Sequence, residues 1–311
     1  MSFAIVFPGQ GSQAVGMLSE LHTGIPRVRD IFERASAALG YDMCDLVFNG
    51  PAERLEQTEY TQPALLTAGI AAWEAWLAAG GVVPHVFAGH SLGEYTALVA
   101  AGVLDFSDAV TLVRDRGKYM QEAVPAGHGA MAAILGLDEE SVITACVQHT
   151  DLEQVSVANY NSPGQIVIAG HSGAVTKAVD TLKAAGAKRA IILDVSVPSH
   201  CGLMKPAADN LTRRLSGLKF RDAEVPVIQN VDAGMRTEAG GIKEALVRQL
   251  HQPVQWTATI EKMKKIGVTR IIECGPGKVL TGLIRRIDSE IQTYNISDTV
   301  SLTQVLNTGA T

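Results

Sequence analysis

The sequence predicts an α/β protein built on a mostly parallel sheet, with a smaller unit inserted into it. Three observations carry that expectation. Short apolar runs closed by glycine or proline alternate with stretches of helical periodicity, the pattern of strands joined by crossover helices. One such run, Val86-Phe87-Ala88, leads into Gly89-His90-Ser91-Leu92-Gly93, a Gly-x-Ser-x-Gly in a strand–turn–helix setting. Between residues 125 and 197 the order becomes β-α-β-β-α-β, the ferredoxin-like signature.

Taken in order, residues 2–7 form an apolar run ended by Pro8-Gly9 and read as a buried first strand. The loop Pro8-Gly9-Gln10-Gly11-Ser12-Gln13 follows, either a tight connection or a place where a backbone N–H is kept free for a ligand. Residues 25–39 have helical spacing, and residues 61–79 a second helix opening on Thr-Gln-Pro, where Pro63 suits a first turn. After the serine turn, residues 106–122 form a helix carrying Arg114, Arg116 and Lys118. The large unit is expected to span residues 1–124 and 198–311, and the small one residues 125–197. Within the small unit the strands are 130–135, 154–159, 165–169 and 190–195, and the helices 138–149 and 172–185. Beyond it come helices at 203–215, 241–250, 257–266 and 280–287, and strands at 225–230 and 269–273.

Composition limits the classes of function. With 47% hydrophobic and 19% charged residues, the chain is an ordinary globular sequence. The longest apolar stretch, 64–79, contains Glu74 and is too short to span a bilayer, and no signal peptide is visible. Four cysteines lie far apart with no C-x-x-C spacing, against a zinc site or a disulfide framework. The expected location is the cytoplasm. A net charge of −6 is the opposite of a nucleic-acid-binding footprint.

A serine hydroxyl needs a positioned base, most often histidine. Of the eight histidines, His90 sits inside the turn and shapes it, while His22, His128, His149, His171 and His251 fall on loops or helix faces. His200 differs, because it follows Val197-Pro198-Ser199 where the small unit returns to the large one, and sites collect in such clefts.

These segments together resemble the malonyl-CoA:acyl carrier protein transacylase family. The resemblance rests on Phe7-Pro8-Gly9-Gln10-Gly11-Ser12-Gln13, Gly89-His90-Ser91-Leu92-Gly93-Glu94-Tyr95, Asn159-Tyr160-Asn161-Ser162-Pro163-Gly164-Gln165 and Val197-Pro198-Ser199-His200. Gln249-Leu250-x-x-Pro253-Val254-x-Trp256 and Glu273-Cys274-Gly275-Pro276-Gly277 extend it over nearly the whole chain. It implies an α/β-hydrolase-like large subdomain with a ferredoxin-like insert. It also implies Ser91 as nucleophile, His200 as base, backbone N–H groups of Gln10 and Leu92 as oxyanion hole, and Arg116 as partner of the malonyl carboxylate. Without the resemblance, Arg114, Arg116 and Lys118 would read as a solvated helix face.

No acidic residue stands out as a third member of a triad, and the resemblance assigns the histidine's acceptor to the main-chain carbonyl of Gln249. The substrates it implies are malonyl-CoA and acyl carrier protein, with no bound cofactor or metal, no nucleic acid or membrane, and a monomeric state. Because the chain is itself acidic, attraction to coenzyme A and an acidic carrier must be local. Lys183, Lys188 and Arg189 are the first candidates, Arg285 and Arg286 the second. A malonyl transacylase of a polyketide or malonate decarboxylase pathway, a serine thioesterase or esterase, and a non-catalytic carrier-docking protein are the alternatives. Arg116 argues against a lipase, because a buried cation disfavours a hydrocarbon tail.

Overall fold

The computed structural model describes residues 2–149, 154–195 and 197–308. The chain opens with β1 (Ser2–Phe7) and reaches β2 (Val86–Gly89) after the helices Pro26–Leu39 and Thr58–Ala78. The insert contributes β3 (Gly129–Leu135), β4 (Val155–Ser162), β5 (Gln165–His171) and β6 (Arg189–Ile192). The return to the large unit adds β7 (Val227–Ile228), β8 (Met235–Arg236), β9 (Val268–Cys274) and β10 (Gln292–Ile296).

Two sheets result. The large one has the order β10-β9-β1-β2-β7-β8 and is parallel except where β8 runs against β7. The small one, β4-β5-β3-β6, is antiparallel, with helices Glu139–Val147 and Ser172–Ala184 against it.

Alternation of side chains along β1 divides the core of the large unit into two layers. Phe3, Ile5 and Phe7 enter the layer of helices Pro26–Leu39, Thr58–Ala78 and Phe106–Ala123, while Ala4 and Val6 enter that of Trp256–Lys265 and Val279–Ile287. Helix Thr58–Ala78 is buried over most of its circumference, in keeping with its mostly apolar sequence. Because β1 has β2 on one side and β9 on the other, strand order reverses there. In open α/β sheets ligands bind outside the carboxyl ends of strands at such a switch point. The loops after β1, β2 and β7 carry Gln10, Ser91 and Asn230 to that end.

Some expected elements differ. The helix with Pro63 begins three residues earlier, at Thr58, so the proline lies inside it. Past the first turn, Pro63 costs the helix the one bond its N–H would have made, to the carbonyl of Glu59. The strand expected over 225–230 is only Val227–Ile228, since Pro226 has no N–H for a ladder. Strands β8 and β10 and the last helix, Thr299–Leu306, are additions. Their short or mixed sequences show no strong periodicity. The two sheets are tied by backbone bonds: Tyr160 N donates to Val254 O (2.9 Å) and Val254 N to Ala158 O (2.9 Å).

Candidate active site

The serine turn is built by close approach of a helix to two strands. A Cβ on Gly89 would lie 2.0 Å from the carbonyl carbon of Gly93, and one on Gly93 2.1 Å from the carbonyl oxygen of Phe7. Glycine at both places lets helix Leu92–Ala100 start directly over the ends of β1 and β2. Ser91 takes φ +52°, on the left-handed side that normally favours glycine. Asn230 holds the turn from both sides of the serine. Its Nδ2 donates to Gly89 O (2.7 Å) and its Oδ1 accepts from Ser91 N (2.6 Å).

His200 also has a positive φ, +62°, and is almost completely buried. Its backbone N–H donates to Leu250 O at 3.1 Å. Nδ1 lies 2.7 Å from Gln249 O, and because a carbonyl can only accept, Nδ1 carries the proton. Nε2 is then the unprotonated nitrogen, 2.7 Å from Ser91 Oγ, placed to accept the hydroxyl proton. Burial, and next the positive charge of Arg116, pull the imidazole down to about 3, so the ring is neutral at ordinary pH.

Arg116 points inward from helix Phe106–Ala123 with 1% of its surface exposed. Nη1 donates to Gln62 Oε1 (2.7 Å), and Nη2 to Gln249 Oε1 (3.0 Å) and, more loosely, to Ser91 Oγ (3.4 Å). The guanidinium sits 5.3 Å from the ring centre of Tyr95. Burial pulls its pKa down. Among the described residues no carboxylate lies within ion-pair distance of it. Its neighbours on the helix differ, as Arg114 pairs with Asp115 and Lys118 with Glu59 at the surface.

Gln10, His90, Ser91, Leu92, Arg116 and His200 all line one cavity of about 500 Å³ between the two units. The backbone N–H groups of Gln10 and Leu92 have no protein acceptor within reach among the described residues, and the latter is the first N–H of a helix, a position with no acceptor inside the helix itself. His90 donates from Nε2 to Asn161 Oδ1 (2.8 Å), joining the serine turn to the insert.

Lys188 and Arg189 are exposed and lie outside the cavity. Arg189 pairs with Leu135, whose other neighbour is the cavity-lining Gln165, and Arg286 donates to the Gln165 side chain. One member of each basic cluster named from the sequence, Arg189 and Arg286, therefore lies near Gln165 at the same rim.

Four groups were not anticipated from the sequence: Gln62, Glu94, Asn230 and the side chain of Gln249. Glu94 is fully buried one turn behind Ser91. Its Oε2 accepts from Asn230 N (2.8 Å) and Gln249 Nε2 (3.0 Å), while Oε1 has no partner. Gln249 Nε2 donates further to Ser91 O (3.0 Å). Burial raises the Glu94 carboxyl to about 7, against the pull of Asn230, Gln249 and Arg116. For two of them the available signal was a polar residue within a mostly apolar helix, Gln62 in one and Glu94 in the other.

The parallel sheet, the elbow at its carboxyl end and the inserted antiparallel sheet define an acyltransferase fold. The chain belongs to the acyl transferase domain family, whose model matches residues 4–303. Within that class it is similar to the malonyl CoA-acyl carrier protein transacylase of Salmonella typhimurium, 55% identical over 98% of each chain. The protein of that name from Bacillus subtilis is 48% identical over 98% of this chain and 96% of its own. Among solved structures, an acyl carrier protein S-malonyltransferase from Vibrio cholerae superposes with a TM-score of 0.96 at 54% identity, covering 98% of this chain and 100% of the other. A malonyl-transacylase solved in complex with its type II PKS acyl-carrier protein gives a TM-score of 0.98 at 53% identity, covering 99% and 100%.

Proposed function

We propose that the chain transfers a malonyl group from malonyl-CoA to the phosphopantetheine thiol of an acyl carrier protein, through a malonyl ester of Ser91. Ser91 Oγ attacks the thioester carbonyl carbon while its proton passes to His200 Nε2. The carbonyl oxygen becomes an oxyanion facing the N–H groups of Gln10 and Leu92. The C–S bond then breaks, and coenzyme A leaves as a thiol with the proton from His200. In the second half His200 takes the proton of the carrier's thiol, whose sulfur attacks the ester carbonyl, and Ser91 Oγ leaves with that proton. The main-chain carbonyl of Gln249 holds the imidazole in the required tautomer. A neutral acceptor stabilises the imidazolium less than a carboxylate does, and a thiol leaving group asks less of it.

The observation that carries the malonyl assignment is Arg116. A buried guanidinium beside the nucleophile, with amides and an aromatic face for partners, lacks a counter-charge in contact, and a malonyl carboxylate supplies one with matching two-oxygen geometry. The carrier is proposed to belong to fatty acid synthesis and to approach the rim of Lys188, Arg189 and Arg286. A polyketide carrier is the second reading, favoured by the neighbour solved with a type II PKS carrier. No cofactor is proposed, because coenzyme A and phosphopantetheine enter as parts of the substrates. A cytoplasmic monomer is proposed because one chain supplies every group named. Among the described residues no helix is long and apolar enough to cross a membrane.

Intact mass after incubation with malonyl-CoA tests the proposal. The expected result is a single malonyl adduct on Ser91 that persists in water and is discharged by carrier protein. Rapid loss in water alone would make the protein a thioesterase, and no adduct would leave a docking protein.

A further inference from the structure

We infer that Glu94 takes up a proton when a malonyl group occupies Arg116, so that the charge in the buried site stays balanced through the reaction. The inference rests on the proposed seat of the malonyl carboxylate at Arg116. In the free protein Arg116 and Glu94 are both buried, and one side-chain amide links them: Arg116 Nη2 donates to Gln249 Oε1, and Gln249 Nε2 donates to Glu94 Oε2. The amide dipole is aligned between cation and anion, so Glu94 is the resident counter-charge of Arg116 at one remove.

The charged and titratable groups facing Glu94 are Arg116 from its helix, Tyr95 beside it, and Asp232 and Arg236 from the segment after β7. Asp232 and Arg236 pair with each other at 2.7 Å and largely cancel. Asn230 and Gln249, which touch the carboxyl, do not titrate. Arg116 is therefore the cation on which the ionised form of Glu94 depends.

A second anion at Arg116 changes that balance. Two carboxylates sharing one buried cation repel, and in a low-dielectric site such a pair keeps one proton between them. The malonyl carboxylate is a much stronger acid than a buried glutamic acid, so the proton goes to Glu94. It comes from solvent and binds Oε1, the oxygen without a partner, while Oε2 keeps both of its bonds. The carboxyl already lies near neutrality, raised to about 7 by burial, so a modest further push suffices. When the malonyl group leaves on the carrier, the proton returns to solvent and the cycle closes with no net change.

Acylation itself neither takes up nor releases protons near pH 7, since a thioester and an alcohol give an ester and a neutral thiol. Proton uptake on mixing enzyme with stoichiometric malonyl-CoA, followed with a pH indicator in weakly buffered solution at pH 7 and 8, therefore reads Glu94 directly. The expected result is a fraction of a proton per malonyl-serine formed, larger at pH 8 than at pH 7, and none with Glu94→Gln, which keeps the shape and the acceptor oxygen. Adduct formation without uptake in the wild-type protein would overturn the inference, as would equal uptake in the glutamine variant. Absence of the adduct would instead remove the proposed function, so the two failures are distinct.

Discussion

At the scale of the residue, His200 is the group whose environment does most to its chemistry. Burial and Arg116 together hold it neutral, with burial the larger cause. For a base whose pKa is depressed, the active form exists above that pKa and is lost only as pH falls through it. With 4-nitrophenyl acetate, an acyl donor that brings no charge to Arg116, the burst of Ser91 acylation should stay nearly flat from pH 8 to pH 5. A decline centred near 6.5, where an unperturbed histidine titrates, would contradict a buried neutral imidazole. Malonyl-CoA adds a second effect. Seated at Arg116 as proposed, its carboxylate would cancel part of the charge that lowers His200 and so strengthen the base. A substrate without that group would gain no such help, and discrimination would then reach the chemical step as well as binding.

At the scale of the element, the serine turn depends on contact between main-chain atoms more than on turn chemistry. Gly93→Ala should cost about 3 kcal/mol or more, because the added methyl meets backbone oxygens of Phe7 and Pro8 that cannot rotate away. Gly282→Ala is the matched control: in a helix, with nothing within 4 Å of the added carbon, it should gain ~0.5–1 kcal/mol. Urea denaturation of the two variants measures both, and similar outcomes would contradict the contact account. Pattern alone pointed to glycines flanking the serine, yet Gly89 is needed against the backbone of Gly93, and Gly93 against the end of β1, some eighty positions earlier in sequence. Helix Phe106–Ala123 illustrates the same limit. Arg114, Arg116 and Lys118 are alternate residues of one helix and look alike in composition. Only the packing against Gln62 and Gln249 separates the buried cation from its two surface neighbours.

At the scale of the molecule, the architecture was largely readable because its signals are local. Apolar runs closed by glycine mark the parallel strands, and the β-α-β-β-α-β order marks the antiparallel sheet. Ser91 stood out as the candidate nucleophile for the same reason, while the proposed roles of Arg116, Gln10 and Leu92 came with the family resemblance. The pairings of Glu94, Asn230 and the Gln249 side chain were not readable. Each acts through a partner more than a hundred residues away, and one sequence carries no mark of such pairings.

The cleft between the two sheets has a consequence for timing. The two units that bound it are joined by the paired backbone bonds of Val254 with Ala158 and Tyr160, and Thr257 Oγ1 donates to Tyr160 O (3.2 Å) as well. Widening the cleft would break those bonds together, so the two walls are expected to move as one body. Amide exchange at Tyr160 and Val254 should be slow and unaltered by coenzyme A, and faster exchange in either state would show a hinge. With the walls joined in this way, the pace of transfer is expected to follow how quickly the flexible arm of the carrier threads the cleft. Turnover with carrier protein should accordingly slow as solvent viscosity rises.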